Sequence, residues 1–164
     1  MNPIATRFPR TTTHTSSIEP LETRIAPAAV VSVSGGALSV VDGVGAVDTI
    51  GISSDGVNFH FNDQMGITAG AGATQLDPFN VEVPIASVTG SFTVMTNGGD
   101  DGVGFLGPIT FPGALVVDTG AGNDFIAVPG TLIVGGDASF TTPGLQAALA
   151  VRQTTSVGSR FAQH

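Results

Sequence analysis

The amino-acid sequence predicts an all-β protein, and three observations lead to that prediction. From residue 28 onward, short segments rich in Val, Ile, Thr and Phe alternate with turns built from Gly, Asn, Asp and Pro. No window shows a convincing 3.6-residue apolar periodicity, and the best helical candidate is confined to residues 144–152. Similar turns recur at a fixed interval, which indicates that the strands belong to repeating units.

The predicted strands follow one another along the chain, each closed by a residue that favours a turn. Residues 57–62 show the pattern most clearly, because apolar and polar residues alternate strictly. If Phe59 and Phe61 face the core, His60 faces solvent. Residues 64–74 are rich in Gly and Ala and predict a long loop or a weak strand. The other predicted strands span residues 29–34, 37–41, 48–53, 79–83, 91–96, 114–118, 125–128 and 131–134.

An internal alignment relates three parts of the chain. Residues 92–105 align with residues 115–128, and residues 38–52 form a third copy with one residue inserted before Asp48. A period of 20–25 residues made of short strands is typical of solenoids, so we predict a short parallel β-solenoid of roughly five coils. An antiparallel β-sandwich is the alternative. The pairs that coincide in the first alignment, all at the same separation, are Thr96 and Thr119, Gly99 and Gly122, and Asp101 and Asp124.

Three regions differ in character along the chain. Residues 1–27 hold Arg, Pro and a Thr/Ser-rich run without alternation, and we predict a disordered leader or sorting segment. It has no apolar stretch beside its early Arg residues, so it is not an ordinary signal peptide. Residues 28–140 form the predicted β-repeat domain. Residues 141–164 form a polar tail that we expect to be partly helical or frayed.

The charge distribution restricts the partners of the protein. The chain has 13 acidic residues against five basic ones, all five of them Arg, and no Lys or Arg lies between residues 25 and 151. Such a body cannot neutralise phosphates, so we expect no binding to nucleic acid. No apolar run approaches the roughly 20 residues that cross a bilayer, so no transmembrane segment is expected. The absence of Cys excludes thiolate nucleophiles and Cys-type zinc sites.

One acidic turn suggests calcium. Residues 119–127 match the pattern Gly-Gly-x-Gly-x-Asp-x-U-x, where U is apolar, except that Thr119 replaces the first Gly. This turn resembles the RTX (haemolysin-type) calcium repeat, and residues 96–103 are a poorer copy of it. The resemblance implies Ca²⁺ ligands at Asp101 and Asp124, with Asp118 and Asp100 beside them.

The spacing of these turns departs from the RTX pattern. RTX repeats come in tandem, so that facing turns enclose each ion, whereas here a whole repeat unit separates the matching turns. A single turn supplies about half of the 6–8 oxygen ligands that calcium takes. Ordinary Asn/Asp/Gly corners explain the same residues. Calcium is therefore one of two interpretations of these turns, and the sequence predicts no other cofactor.

The N-terminal segment carries a second resemblance. Residues 18–30 resemble the Leu-Glu-x-Arg-x-Ala-Pro-Ala segment of secreted and cell-surface repeat proteins of planctomycetes and related bacteria. That resemblance implies export to the cell surface or the extracellular matrix, with surface or matrix components as partners. Members of that group are usually longer, so we expect a short paralogue or a truncated reading frame. The matching positions are Leu21, Glu22, Arg24, Ala26, Pro27 and Ala28.

No catalytic set is evident in the sequence. The body has a single histidine, His60, and no Gly-x-Ser-x-Gly elbow. Asp100 and Asp101 are adjacent, so in a strand-like geometry they point to opposite sides and are expected to be solvated. We therefore predict a non-enzymatic, exported structural or adhesive β-repeat module. The alternatives are a calcium-dependent RTX-like binding module and a fragment of a β-helical carbohydrate-active protein, the latter disfavoured because Trp and Tyr are absent.

Overall fold

The computed structural model describes residues 29–43 and 45–143, together with the backbone of the strands Ala148–Ser156 and Phe161–Gln163. These residues form fifteen strands and one short 3-10 helix, Ile85–Ser87, with no α-helix among them. The prediction of an all-β fold is confirmed. In the described part of the chain, no helix is long and apolar enough to cross a membrane. The predicted leader, residues 1–27, lies outside the described residues.

The N-terminal half is built mainly from antiparallel pairs. Its strands are β1 (Ala29–Ser34), β2 (Ala37–Asp42), β3 (Thr49–Ser54), β4 (Asn58–Asn62), β5 (Ile67–Ala69), β6 (Thr74–Asp77) and β7 (Asn80–Pro84). β1 and β2 form a hairpin, and β3, β4, β7 and β6 pair in that order, each antiparallel to the next. Gly35 and Gly36 close the first hairpin with φ angles of 57° and 81°, which suit a two-residue turn between twisted strands.

The C-terminal half contains only parallel pairs between its named strands. Phe92 pairs with Leu115, and Leu115 pairs with Ala138, so the partners keep one constant offset along the chain. Gly102 and Phe125 pair with the same offset in the other sheet. The strands are β8 (Phe92–Met95), β9 (Gly102–Leu106), β10 (Ile109–Phe111), β11 (Leu115–Asp118), β12 (Phe125–Val134), β13 (Ala138–Thr141), β14 (Ala148–Ser156) and β15 (Phe161–Gln163).

The two halves join in two mixed sheets. One sheet has seven strands in the order β15-β13-β11-β8-β2-β1-β5. The other sheet has eight strands. Seven of them follow the order β10-β12-β9-β3-β4-β7-β6, and the eighth, β14, also pairs with β12. At the junction Leu38 pairs with Phe92, and Thr49 pairs with Gly102. The separation along the chain is one residue shorter in the second pair than in the first. This difference corresponds to the insertion that the alignment placed before Asp48.

The expectation of roughly five parallel coils over residues 28–140 is wrong for the N-terminal half, which contains antiparallel hairpins. The turns between β1 and β2 and between β3 and β4 are too short for a parallel return, which needs a connection of about a dozen residues. The chain therefore folds back as hairpins in that half. By contrast, the chain passes through the other sheet between β8 and β11, and again between β11 and β13. Each return to the first sheet is therefore parallel.

The tail differs from its prediction. Residues 148–156 form strand β14, parallel to β12, where the sequence suggested a helix over residues 144–152. The edge of β12 offers a row of unpaired backbone groups, and β-branched residues such as Val151 suit a strand there. Residues 144–147 lie outside the described residues. In residues 64–74, the predicted weak strand is β5, and the first residue of β6 is Thr74.

The core lies between the inner faces of the two sheets and joins the antiparallel and parallel halves. The Phe111 ring lies 5.0 Å from the Phe59 ring and 4.7 Å from the Phe92 ring, measured between centroids. Phe61 contacts Phe92 edge to face, with centroids 6.0 Å apart. Both Phe59 and Phe61 are buried, and His60 between them is half-exposed, as the alternation predicted.

Candidate functional site

Five aspartates are enclosed in the interior rather than solvated at the turns. Their exposed fractions are 1% or less. The expectation of a solvated acid is confirmed for Asp100 and wrong for Asp101, which is buried although the two are neighbours. Asp42 is an inward-facing residue at the end of β2, and for the other four acids the inward alternation of the strand continues into the adjoining turn. The buried acids are Asp42, Asp48, Asp63, Asp101 and Asp124.

Three of these residues form a ladder across successive turns, which we call the aspartate ladder (Asp48, Asp101 and Asp124). The Oδ1 atom of Asp124 accepts a hydrogen bond from the backbone N–H of Asp101 at 2.9 Å. The Oδ1 atom of Asp101 accepts one from the N–H of Asp48, also at 2.9 Å. The carboxylates of Asp101 and Asp124 thereby each satisfy a buried backbone donor of the neighbouring turn. The other oxygen of Asp124, Oδ2, accepts a hydrogen bond from the Thr119 hydroxyl at 2.9 Å.

The turns that carry the ladder are in direct backbone contact. Gly98 and Ala121 form a parallel bridge, and the N–H of Gly99 donates to the carbonyl of Ala121 at 3.0 Å. A Cβ atom on Gly122 would overlap the carbonyl oxygen of Gly99 and lie 2.6 Å from its carbonyl carbon. Only a residue without a side chain therefore fits at this contact.

The four acids predicted from the sequence as calcium ligands do not meet at one point. Asp101 and Asp124 are joined by the ladder. Asp100 lies on the exposed side, where its Oδ1 accepts a hydrogen bond from the N–H of Asn123 at 2.9 Å. Asp118 accepts one from the N–H of Gly120 at 3.0 Å. Among the side chains that the structure describes, no group of three or more His, Cys, Asp or Glu residues is arranged to hold a metal ion.

A second feature that the sequence did not reveal lies where β3 begins and β4 ends. Gly51 pairs with Asn62, so Asp48 and Asp63 lie just beyond the ends of these two strands, on the inner side. The carboxyl group of Asp63 lies close enough to that of Asp48 to raise its pKa. We call these two residues the Asp48–Asp63 pair. The alternation that buries Phe59 and Phe61 continues to Asp63, and this was the available signal.

The charge of this pair is poorly compensated. Burial, together with the nearby carboxylates of Asp63, Asp42 and Asp101, raises the pKa of Asp48 to about 7. The pKa of Asp101 is also raised, mainly by burial, although the backbone N–H of Asp48 opposes that rise. On the outer surface, by contrast, the pKa of an aspartate is lowered. Backbone N–H groups of Asn58 and Val57, with His60, lower the pKa of Asp55 to about 2.

The raised pKa of Asp48 predicts that stability falls as the pH rises. Between pH 4 and pH 7 the folded state binds a proton at Asp48 that the unfolded state releases. The contribution of this proton to the free energy of unfolding is therefore complete below about pH 4 and is lost as the pH rises through 7. We expect the free energy of unfolding in a chelator-containing buffer to fall by roughly 2 kcal/mol between pH 4.5 and pH 8. The pKa values of Asp55 and Asp77 are lowered, so these two residues change the free energy of unfolding only at pH values below this range.

Urea unfolding at the two pH values measures this effect. Far-UV circular dichroism is the appropriate signal, because the chain has no Trp or Tyr. The Asp48→Asn variant carries no titratable group at this position and should show a much smaller pH dependence. Equal pH dependence in the variant and the unsubstituted protein would contradict the assignment to Asp48.

Comparison with known proteins identifies no relative. The chain matches no family model, no curated protein and no solved structure.

Proposed function

We propose that the protein is a short parallel β-solenoid, closed at its N-terminal end by antiparallel hairpins, that serves as a non-enzymatic structural or adhesive module. The observation that carries the proposal is the constant register of β8, β11 and β13 in one sheet and of β9 and β12 in the other. Stacked coils of this kind expose long, regular faces, and repeat architectures use such faces for binding.

The interior of the coils supports a structural role. The aspartate ladder and the backbone contact at Gly122 fix each turn against its neighbour, so the stack is rigid. One carboxylate oxygen of Asp101 and one of Asp124 accept the hydrogen bonds between turns. A rigid scaffold of this type presents its outer side chains at fixed spacings.

The outer face supports an adhesive role. Val30, Val41 and Met95 lie side by side across three strands of the seven-stranded sheet, and each is more than a third exposed. No Lys or Arg occurs within residues 29–143, so the described surface is acidic. Such a face suits surface or matrix components that are basic or partly apolar.

Location at the cell surface or in the matrix is part of the same proposal. It is supported by the resemblance of residues 21–28 to the N-terminal segment of exported repeat proteins. Cell fractionation in the native host tests it, with a variant in which Leu21, Glu22 and Arg24 are replaced by Ala as the control. We expect the unsubstituted protein in the surface or extracellular fraction and the variant retained. A protein found only in the cytoplasm would contradict the proposed location.

A further inference from the structure

The Asp48–Asp63 pair combines full burial with oxygen atoms that have no hydrogen-bond donor. Asp48 is 0% exposed and Asp63 is 1% exposed. Among the described residues, no donor reaches either carboxylate oxygen of Asp48, Oδ2 of Asp63 or Oδ2 of Asp101. A buried carboxylate oxygen without a donor is costly, because neither water nor the protein compensates for its charge.

The surrounding groups hold the carboxylates in place without neutralising them. Asp63 Oδ1 accepts a hydrogen bond from the N–H of Met65 at 2.9 Å, and its other oxygen, Oδ2, has no donor. Thr96 lies beside Asp101, but its hydroxyl proton is donated to the carbonyl of Thr119 at 3.0 Å. Residues 29–143 contain no Lys or Arg that could pair with these acids.

A single proton does not balance this charge. One proton shared between Asp48 and Asp63 would neutralise one carboxylate and leave the other buried and charged, with Asp101 and Asp42 nearby. A divalent cation would neutralise both members of the pair. The three oxygens that have no hydrogen-bond donor, both of Asp48 and Oδ2 of Asp63, would be available as ligands to that cation.

We propose that Asp48 and Asp63 bind a hard divalent cation, with calcium as the best fit. The available ligand atoms are all oxygen, which favours Ca²⁺ over the metals that prefer nitrogen or sulfur. Two carboxylates supply up to four oxygen atoms, and backbone carbonyls or water would complete a coordination number of 6–8. The site differs from the turn positions Asp100 and Asp118, and it does not depend on the proposed function.

The position of the site gives the cation a structural consequence. Asp48 leads into β3, which pairs in parallel with β9, and Asp63 follows β4, which begins the antiparallel part of the same sheet. A cation held between them would fasten the antiparallel hairpins to the parallel strands. Its removal would loosen this junction first.

Calorimetric titration of the chelator-treated full chain with CaCl2 at pH 8, together with thermal unfolding, tests the site. We expect saturable binding and a rise in Tm of roughly 5 °C at a calcium concentration well above the Kd. Asp48→Asn and Asp63→Asn should each abolish the rise. Asp100→Asn and Asp118→Asn are matched controls that remove an acid outside the pair, and both should keep it.

Four outcomes would overturn the proposal. The first is an unchanged Tm and no binding heat in the unsubstituted protein. The second is a rise that survives in both Asp48→Asn and Asp63→Asn. The third is a rise lost in the Asp100 and Asp118 controls, which would place calcium at the turns instead. The fourth is a Tm that responds to pH but not to calcium, which would mean that the pair shares a proton. Both pair variants remove a buried charge, so they should fold.

Discussion

Replacing Gly122 by alanine is expected to destabilise the protein by at least about 3 kcal/mol. The added Cβ would overlap the carbonyl oxygen of Gly99, and this neighbour is backbone of the adjoining turn rather than a flexible side chain. The two turns would have to separate, which would also strain the ladder hydrogen bond between Asp101 and Asp124. Urea unfolding followed by far-UV circular dichroism measures the loss.

Gly104→Ala is the matched control for this substitution. A Cβ at Gly104 meets only Leu106, at an ordinary contact distance of 3.5 Å. Its partner on the neighbouring strand, Ala127, already carries a methyl group. We expect a change in the free energy of unfolding within about 1 kcal/mol of zero, because alanine also restricts the unfolded chain. Similar losses for Gly122→Ala and Gly104→Ala would contradict the close contact between turns.

The second large effect is expected for Asp124→Ala, at about 3 kcal/mol of destabilisation. The substitution removes the acceptor for the buried N–H of Asp101 and the nearer acceptor for the Thr119 hydroxyl, which keeps only the carbonyl of Thr141, at 3.4 Å. Each buried donor left without a partner costs about 1 to 3 kcal/mol. The free energy of unfolding from urea titration gives the result directly.

Asp124→Asn and Asp100→Ala separate the possible causes of that loss. Asparagine keeps an oxygen for the N–H of Asp101, and its NH₂ group can donate to Thr119 Oγ1, so we expect a loss below about 1 kcal/mol. Asp100→Ala removes an exposed acid from the next turn and should cost about as little. If Asp124→Asn were as damaging as Asp124→Ala, the charge rather than the hydrogen bonds would be responsible.

The class of fold could be predicted because its signal is local. In residues 57–62, strict alternation predicted which side chains face the core, and Phe59 and Phe61 are buried as expected. The alignment that paired Asp101 with Asp124 has the same offset as the parallel strands. Both patterns can be read from neighbouring residues or from a fixed period.

The direction of pairing in the N-terminal half was harder to predict because it depends on turn geometry. Residues 38–52 align with the later units, yet β1, β4, β6 and β7 are additional strands that fold back antiparallel. β14 shows the influence of a neighbour, since a segment with weak helical character becomes a strand beside β12. Local preference is overridden in such cases by the unpaired edge of an existing sheet.

The burial of the acids could not be predicted from their residue type. Aspartate is rarely buried without a partner, and turns rich in Gly and Asp are usually exposed. Here the glycines bring adjacent turns so close that Asp101 and Asp124 bond to backbone N–H groups instead of water. Asp63 was missed because it lies just beyond the end of its strand, at Asn62, where an acid is expected to face solvent.

The absence of Lys and Arg from the body therefore has a structural meaning in addition to its effect on partners. Residues 29–143 contain no Lys or Arg to pair with the buried carboxylates, and in the ladder backbone N–H groups take that role. At the Asp48–Asp63 pair the backbone supplies too few donors. This is the place where we expect a bound cation.

The central claim, that successive strands stack in parallel at one constant offset along the chain, is tested most directly by cysteine cross-linking. The chain has no Cys, so introduced pairs react without interference. Thr93 pairs with Val116, and Val116 pairs with Ser139, each across one strand spacing of about 4.8 Å. Thr93 and Ser139 are therefore about twice as far apart, too far for a disulfide.

Mild oxidation followed by mass spectrometry of three double-cysteine variants gives the answer. We predict disulfides in Thr93→Cys/Val116→Cys and in Val116→Cys/Ser139→Cys, and none in Thr93→Cys/Ser139→Cys. Failure of the first two pairs to cross-link, or equal cross-linking of the third, would contradict the parallel stack.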